Sequence, residues 1–389
     1  MKVLAFTSIR ADYDLMSPLY FLLHQRLDIE FKLIVSGAHL SKEYGYSVQQ
    51  VEEDGFDILA RIETLLHSDS MVSKLKTSAI FLQSAIERVA EYQPDLILFA
   101  GDREDVMMAA LISVFLKVPS IHFYGGDHES AGHEDTQIRH AVSKLASAHF
   151  VSCEEHAQRL VAMGEAKRRI FNIGSIALDR FVDQKVLPLN AWVTSWTDQV
   201  DKPIAVLIYH PSPNAQENND SAQVLDHQIE AILMQGWQVF VSAPNSDAGH
   251  SGIMQAIEKW RSHPDVVPYR NLSRTHFLSL FTHAKCIIGN SSAGLLESAS
   301  VKVPAINVGA RQLGRMAGDN VLFCGTEQTQ IAKALKQIQS LEFQSKLAEV
   351  QNPYGDGRSS QKALDLILNT DWKTLQLKVE DPLTTLNIK

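Results

Sequence analysis

Short apolar runs that end in polar, glycine-bearing turns recur along this chain, and a longer amphipathic stretch separates each from the next. Residues 3–7, 31–36, 96–100 and 120–124 read as strands. Residues 17–26, 72–92, 105–116 and 136–146 read as helices. The strand runs hold Val, Ile, Leu and Phe without alternation, as parallel strands covered on both faces do. A second series starts near Pro203. "PIAVLIYH", "WQVFVSAP", "KCIIGNSS" and "VPAINVG" read as strands, and 221–235, 252–261, 275–282, 294–300 and 328–338 as helices.

Two βα series in succession predict an α/β chain of two doubly wound, Rossmann-like domains facing each other across a cleft. A length of 389 residues also favours two domains over one. The boundary is expected within 182–203, where periodicity fades between charges and prolines. The expected division is 1–185, 200–355, and a C-terminal helix and tail at 356–389 packing back on the first domain. The tail after Asn369 carries no assignment and is expected to be partly mobile.

The net charge of −9 argues against a non-specific nucleic-acid binder, so an anionic ligand must be held by local donors. Cys153, Cys286 and Cys324 form neither a zinc pattern nor a disulfide framework, which fits a reducing compartment. No signal peptide and no membrane-length apolar run is legible. The expectation is a soluble cytoplasmic protein without a membrane partner.

Ligands of open α/β sheets bind beyond the carboxyl ends of the strands. That rule selects "SIRADYD", "SGAHLS", "GDRED" and "YGGDHESAGHEDTQIRH" in the first half, and "YHPSPN", "SAPNSDAG", "GNSSAGLLE" and "NVGARQLGR" in the second. In "GNSSAGLLE", Gly289 and Gly294 permit close backbone approach, and Ser291 and Ser292 stand where a helix should start, as anion donors or plain caps. Glu297 suits a ribose diol or is a surface carboxylate. Arg311 and Arg315, with Gln312 between them, suit a phosphate or form a solvated pair. His210 ends a strand before Pro211, as a phosphate donor, an acid or a structural ring. Arg10, His39, Asp102 and Arg103 also stand at strand ends, and Asp102 is alternatively a helix cap.

The stretch 124–140 concentrates four carboxylates, three histidines and an arginine. His128, His133 and His140 match no metal-binding spacing, so no metal is expected. Asp135 is placed to cap a helix whose first turn is 136–139. The functional reading is an acid–base group, with partly desolvated carboxylates raised toward the working pH range.

Taken in order, "SIRADY", "VSGAHLS", "EDGFDI", "GDRED", "YGGD…IRHAVSKLASAHF", "MGE…IFNIGS", "YHP", "IIGNSSAGLLE", "INVGARQLGR" and "NPYGDGRSS" resemble the hydrolysing UDP-N-acetylglucosamine 2-epimerases of sialic- and legionaminic-acid pathways. The resemblance runs from the first strand to Ser360. It implies a glycosyltransferase-B type fold, a UDP-sugar ligand, no cofactor, and a homo-oligomer, dimer or tetramer. It implies loss of the C2 proton with expulsion of UDP, then hydration with inversion at C2 to give N-acetylmannosamine. The first domain would then serve the sugar and the second the diphosphate. By the same resemblance Arg10, His210, Ser291, Ser292 and Arg311 would meet the diphosphate, and Glu297 the ribose. Asp102, the acid of "GGD" and the acid four residues before Arg139 would surround the sugar, braced by Arg139 and His140. His39, Arg103, Gly294, Gln312 and Arg315 complete the expected binding set.

This chain departs from the family pattern "GGE" by carrying Asp127, and its following acids are shifted. Asp127 or Glu129 takes the first acid's place, and Asp135 or Glu134 the second's. A UDP-2,4-diacetamido-6-deoxy sugar is therefore an alternative substrate. A glycosyltransferase is an alternative of another class, although it would not need the acid-rich loop.

Overall fold

Strand faces sort the two cores. Val3 and Ala5 point to one side of the first sheet and Leu4 and Phe6 to the other, and all four are buried. The computed structural model describes residues 1–66, 70–129, 134–183, 186–199, 201–212, 220–244, 249–270 and 272–385. His133, Pro213 and Asn214 of "YHPSPN", residues 245–248 of "SAPNSDAG" and positions 184–185 and 200 of the expected boundary lie outside the described residues.

The chain divides into two units. Unit 1 holds residues 1–128, 134–180 and the segment from Tyr354 onward; unit 2 is chiefly Phe181–Pro353. In unit 1 the strands are β1 (Lys2–Thr7), β2 (Glu30–Ser36), β3 (Ile58–Ile62), β4 (Leu96–Ala100), β5 (Ser120–Phe123), β6 (Ala148–Val151) and β7 (Ile170–Asn172). They form one parallel sheet in the order β3-β2-β1-β4-β5-β6-β7. Its helices include α1 (Arg10–His24), α2 (Val48–Glu53), α3 (Met71–Tyr92), α4 (Glu104–Phe115), α5 (Glu134–Leu145) and α6 (Glu154–Ala162). Tyr13, Met16, Leu19, Tyr20 and Leu23 of α1 cover one sheet face, while Phe81, Ala85 and Val89 of α3 and Val106 and Ala109 of α4 cover the other. Strand order reverses between β1 and β4, the switch point where ligands of such sheets bind.

Unit 2 repeats the plan with β8 (Ile204–Ile208), β9 (Gln238–Ser242), β10 (Val266–Tyr269), β11 (Cys286–Gly289), β12 (Ala305–Val308) and β13 (Val321–Cys324). The order is β10-β9-β8-β11-β12-β13, again parallel, with its switch between β8 and β11. The predicted class, two parallel-sheet α/β domains, is the one observed.

Two helix boundaries correct the sequence reading. The helix expected from residue 17 begins at Arg10, with Pro18 inside it. Pro18 offers no N–H to the Asp14 carbonyl, and the Ser17 hydroxyl donates to that oxygen instead, at 3.4 Å. The helix expected over 294–300 is a single α-turn, Ala293–Leu296, followed by a 3₁₀ turn, Ser298–Val301.

The C-terminal segment is anchored in unit 1. The buried Asp179 carboxylate accepts from Ser359 N at 2.9 Å and Ser360 N at 2.6 Å, capping the helix Ser359–Asn369. Ala363, Leu364 and Ile367 of that helix, with Trp372 and Leu375 beyond it, join the core of α1. Beyond Asn369 the chain keeps contact with unit 1 as far as Glu380, whose carboxylate is bound by Arg168 and Arg169.

Candidate functional site

In unit 1 the turns after β1, β4 and β5 carry the ionisable groups. Tyr124 (φ 64) and Gly126 (φ +80) are left-handed, and they turn the chain sharply after β5. A Cβ on Gly126 would collide with the His156 carbonyl oxygen, so only glycine lets this turn lie against α6. The turn delivers Asp127 almost fully buried, at 4% exposure. Its Oδ2 lies 3.4 Å from Arg139 Nη1, and its Oδ1 lies 3.3 Å from His156 Nε2 and accepts from His128 N at 2.9 Å. Arg139, on α5, also donates through Nη2 to Asp102 at the end of β4. One guanidinium thus ties the two acids together. Asp102 is not the cap of α4, whose N-cap is Arg103 without a side-chain bond.

A second group lies beside it. Asp12 in the first turn of α1 has its carboxyl pushed up to about 7 by burial and by Asp105, against the pull of Arg103 and Ser8. Ser8 Oγ lies 3.5 Å from Asp12 Oδ2. Lys74 of α3 reaches Glu134 at 3.2 Å and Glu104 at 3.6 Å. Arg10 turns along α1 to Asp14 at 3.3 Å.

His122 is neutral in this setting, since burial pulls it down to about 3. Its Nε2 donates to Gly101 O at 2.8 Å and its Nδ1 meets Ser143 Oγ at 3.0 Å. The ring joins the turn of Asp102 to the helix of Arg139. His140 stacks on His128 with centroids 5.8 Å apart, and burial, with His128 and Arg139, lowers its pKa. Glu129, which falls to unit 2, is half-buried.

Two expectations change here. Asp135 does not cap α5, because the helix begins at Glu134 and Asp135 lies within its first turn. His39 offers no atom to a ligand. It is fully buried, with Nε2 on Thr7 Oγ1 at 2.9 Å and Nδ1 on Ser47 Oγ at 2.8 Å.

In unit 2 the turns after β8 and β11 are locked together. Gly289 (φ +130) lies so close to β8 that a Cβ would strike the Ile208 carbonyl oxygen. Asn290, 1% exposed, accepts from His210 N at 2.7 Å and donates to His210 O at 2.8 Å. The Asn290 carbonyl accepts from Arg311 Nη1 at 3.2 Å and Gln312 Nε2 at 3.0 Å, and Arg315 Nη1 donates to Gln312 Oε1 at 2.7 Å. His210, Arg311, Gln312 and Arg315 are thereby gathered around one asparagine.

Ser291 and Ser292 are half-buried, and Ser291 Oγ accepts from Ala293 N at 3.4 Å. The helix they precede is only four residues long, so its dipole adds little to anion binding. Gly294 is a packing residue, with Ala305 Cβ 3.7 Å and Ile287 Cγ2 3.9 Å from where its own Cβ would be. Glu297 is 3% exposed and is not a surface carboxylate.

Sequence reasoning missed Asp12, Asp105, His122, His156 and Asn290. Asp12 was open to discovery, since it sits two residues after Arg10 at a strand end. His156 was not, because only the turn at Gly126 brings α6 to Asp127.

Fold and site together define a two-domain, doubly wound α/β protein with charged turns at both sheets' switch points. A family model described as UDP-N-acetylglucosamine 2-epimerase matches residues 22–368. The chain belongs to that family. It is 33% identical over 366 residues to the UDP-N,N'-diacetylbacillosamine 2-epimerase (hydrolyzing) of Legionella pneumophila, covering 94% of this chain and 95% of that protein. It is 30% identical over 346 residues to the GDP/UDP-N,N'-diacetylbacillosamine 2-epimerase (hydrolyzing) of Campylobacter jejuni, covering 88% of each. Among solved structures it is similar in fold to UDP-GlcNAc 2-epimerase from Neisseria meningitidis bound to UDP-GlcNAc, with a TM-score of 0.79 and 18% identity over 95% of this chain and all of that one. Among the described residues no helix is long and apolar enough to cross a membrane.

Proposed function

We propose that this chain is a hydrolysing 2-epimerase of a UDP-linked 2-acetamido sugar, working in nonulosonic-acid biosynthesis. The observation that carries the reading is the Arg139 clamp on Asp102 and Asp127, at the switch-point side of unit 1. The reaction needs one group to take the C2 proton on one face of the sugar and another to return a proton on the other. Two carboxylates held by a single cation supply such a pair. In the first step the C2–H bond breaks, its electrons form the C1–C2 double bond, and the C1–O bond releases UDP. In the second, water oxygen adds to C1 and a proton adds to C2 on the opposite face.

Asp102 and Asp127 are assigned to the C2 proton and Asp135 to directing the water, with Glu134, Glu129 and His140 lining the sugar. Arg10, Arg103, His210, Ser291, Ser292, Arg311, Gln312 and Arg315 are assigned to the diphosphate, where cations and hydroxyls stabilise the departing charge. Glu297 is assigned to the ribose. Asn290 sets the His210 backbone and with it the ring.

Two substrates share this C1–C2 chemistry. UDP-N-acetylglucosamine is the sugar nucleotide in the family's description. UDP-N,N'-diacetylbacillosamine is favoured by the names of the 33% and 30% identical relatives and by the shorter acid Asp127. Incubating the protein with each and following the products by NMR tests the reading. Free UDP and a manno-configured sugar are expected from one of them. Nucleotide release with retained gluco configuration would make the protein a simple hydrolase and end the proposal.

A further inference from the structure

The chemistry above makes no use of the chain's last described residues, yet they reach the helix that carries Arg139. Arg169, 1% exposed, donates to Ser147 O at 2.8 Å, Leu377 O at 2.7 Å and both oxygens of Glu380 at 2.9 Å, and also to Leu375 O. These bonds strap residues 375–380 across β6 and β7. From the strap Lys378 turns inward. Its Nζ donates to Ser143 O at 2.8 Å and Lys144 O at 3.1 Å, and meets Glu165 Oε2 at 2.5 Å.

Ser143 and Lys144 belong to the last turn of α5, whose final carbonyls have no partner within the helix. An ammonium there satisfies them and opposes the negative end of the helix dipole. Glu165 is 1% exposed and also meets Lys144 at 2.6 Å and His149 at 3.0 Å. Burial would raise its carboxyl, but His149 and Lys378, with Lys144, hold it down at about 2. The ammonium therefore has a fixed anion behind it. One turn back along α5, Ser143 Oγ donates to Arg139 O at 3.0 Å and touches His122. A contiguous path runs from the tail, through Lys378 and Ser143, to the backbone of Arg139, whose side chain holds Asp102 and Asp127.

We infer that the C-terminal strap is a positioning element, in which Lys378 seats the end of α5 and so fixes Arg139 against the two acids. Its effect on turnover rests on the function proposed above; its effect on α5 does not. Lys378→Met removes the ammonium while keeping the length of the side chain, and Glu380→Gln loosens the strap at its more exposed anchor.

The experiment pairs hydrogen exchange on the full-length chain with steady-state kinetics and UDP binding. Exchange across 134–145 should speed up in both variants, while the β8 and β11 turns are unchanged. Turnover of Lys378→Met should fall about ten- to a hundredfold, as displacement of positioned groups does, with UDP affinity held within about twofold and KM little changed. A smaller fall in the same pattern is expected for Glu380→Gln. If Lys378→Met does not fold, Glu380→Gln alone decides. Unchanged exchange across α5 overturns the inference, as does faster exchange with full turnover. A wild-type protein inactive on every UDP-sugar would end the functional reading instead, and exchange across α5 would still decide the strap.

Discussion

Arg139 on α5 donates to Asp102 at the end of β4, joining two elements that lie 37 residues apart in sequence. The same guanidinium reaches Asp127 at 3.4 Å, and its side chain is 8% exposed. Removing it takes the shared guanidinium from both carboxylates, of which Asp127 is almost fully buried. Arg139→Met should therefore destabilise unit 1 by about 3 kcal/mol, in the range seen when a buried pair loses one partner. Urea denaturation measures this, and a loss under about 1 kcal/mol would show that solvent already screens the pair.

Asp102→Asn and Asp135→Asn should keep UDP binding and lose turnover. The groups assigned to the diphosphate are mostly in unit 2, where His210, Arg311 and Gln312 bond Asn290. Calorimetry with UDP checks the first half and product release the second. Loss of nucleotide binding in both variants would mean the acids are misassigned.

Gly126→Ala and Gly289→Ala should both be severely destabilising. Each position is left-handed, and each added Cβ meets a backbone carbonyl that cannot swing away. Backbone conflict of this kind costs about 2–4 kcal/mol, read as a drop in Tm. Gly294→Ala serves as the control, since its nearest neighbours stand at 3.7 Å and 3.9 Å. Its Tm should scarcely move.

Asp12 makes stability depend on pH in an unusual direction. Its carboxyl rises from an ordinary 3.8 to about 7 in the fold. Between those values the folded chain holds a proton that the unfolded chain has released. This contribution is fully present below about pH 4 and is lost as pH rises through 7. Asp12→Asn should accordingly gain stability relative to the parent at pH 8, with the difference shrinking toward pH 4. Glu165 acts oppositely. Its stabilisation is present above an ordinary 4.5 and fades as pH falls toward 2. Denaturation curves at several pH values separate the two.

Much of the fold was legible because buried parallel strands leave a plain trace. The strand runs at 96–100 and 286–289 are apolar along their whole length and end in glycine turns. The edge strands β3, β7, β10 and β13 were not legible, since they are short and only partly covered or interrupted by Pro268. The start of α1 was hidden by a polar first turn and by Pro18, whose disruption Ser17 offsets in three dimensions. At the site, the strand-end rule selected the segments that hold Asp102, Asp127, Arg139 and His210. What sequence could not supply was partnership. Asn290 clasping His210, His156 meeting Asp127 and Arg169 gripping a tail more than two hundred residues away are products of chain crossing, and no local pattern encodes them.

On the proposed function this chain removes a proton from C2 of a UDP-sugar and replaces it on the other face. Turnover in deuterated water measures this directly, with each UDP-sugar as substrate and NMR of the released sugar as readout. Free UDP and a manno-configured product carrying deuterium at C2 are expected. Released nucleotide with a sugar that keeps its original hydrogen at C2 would contradict the proposed function.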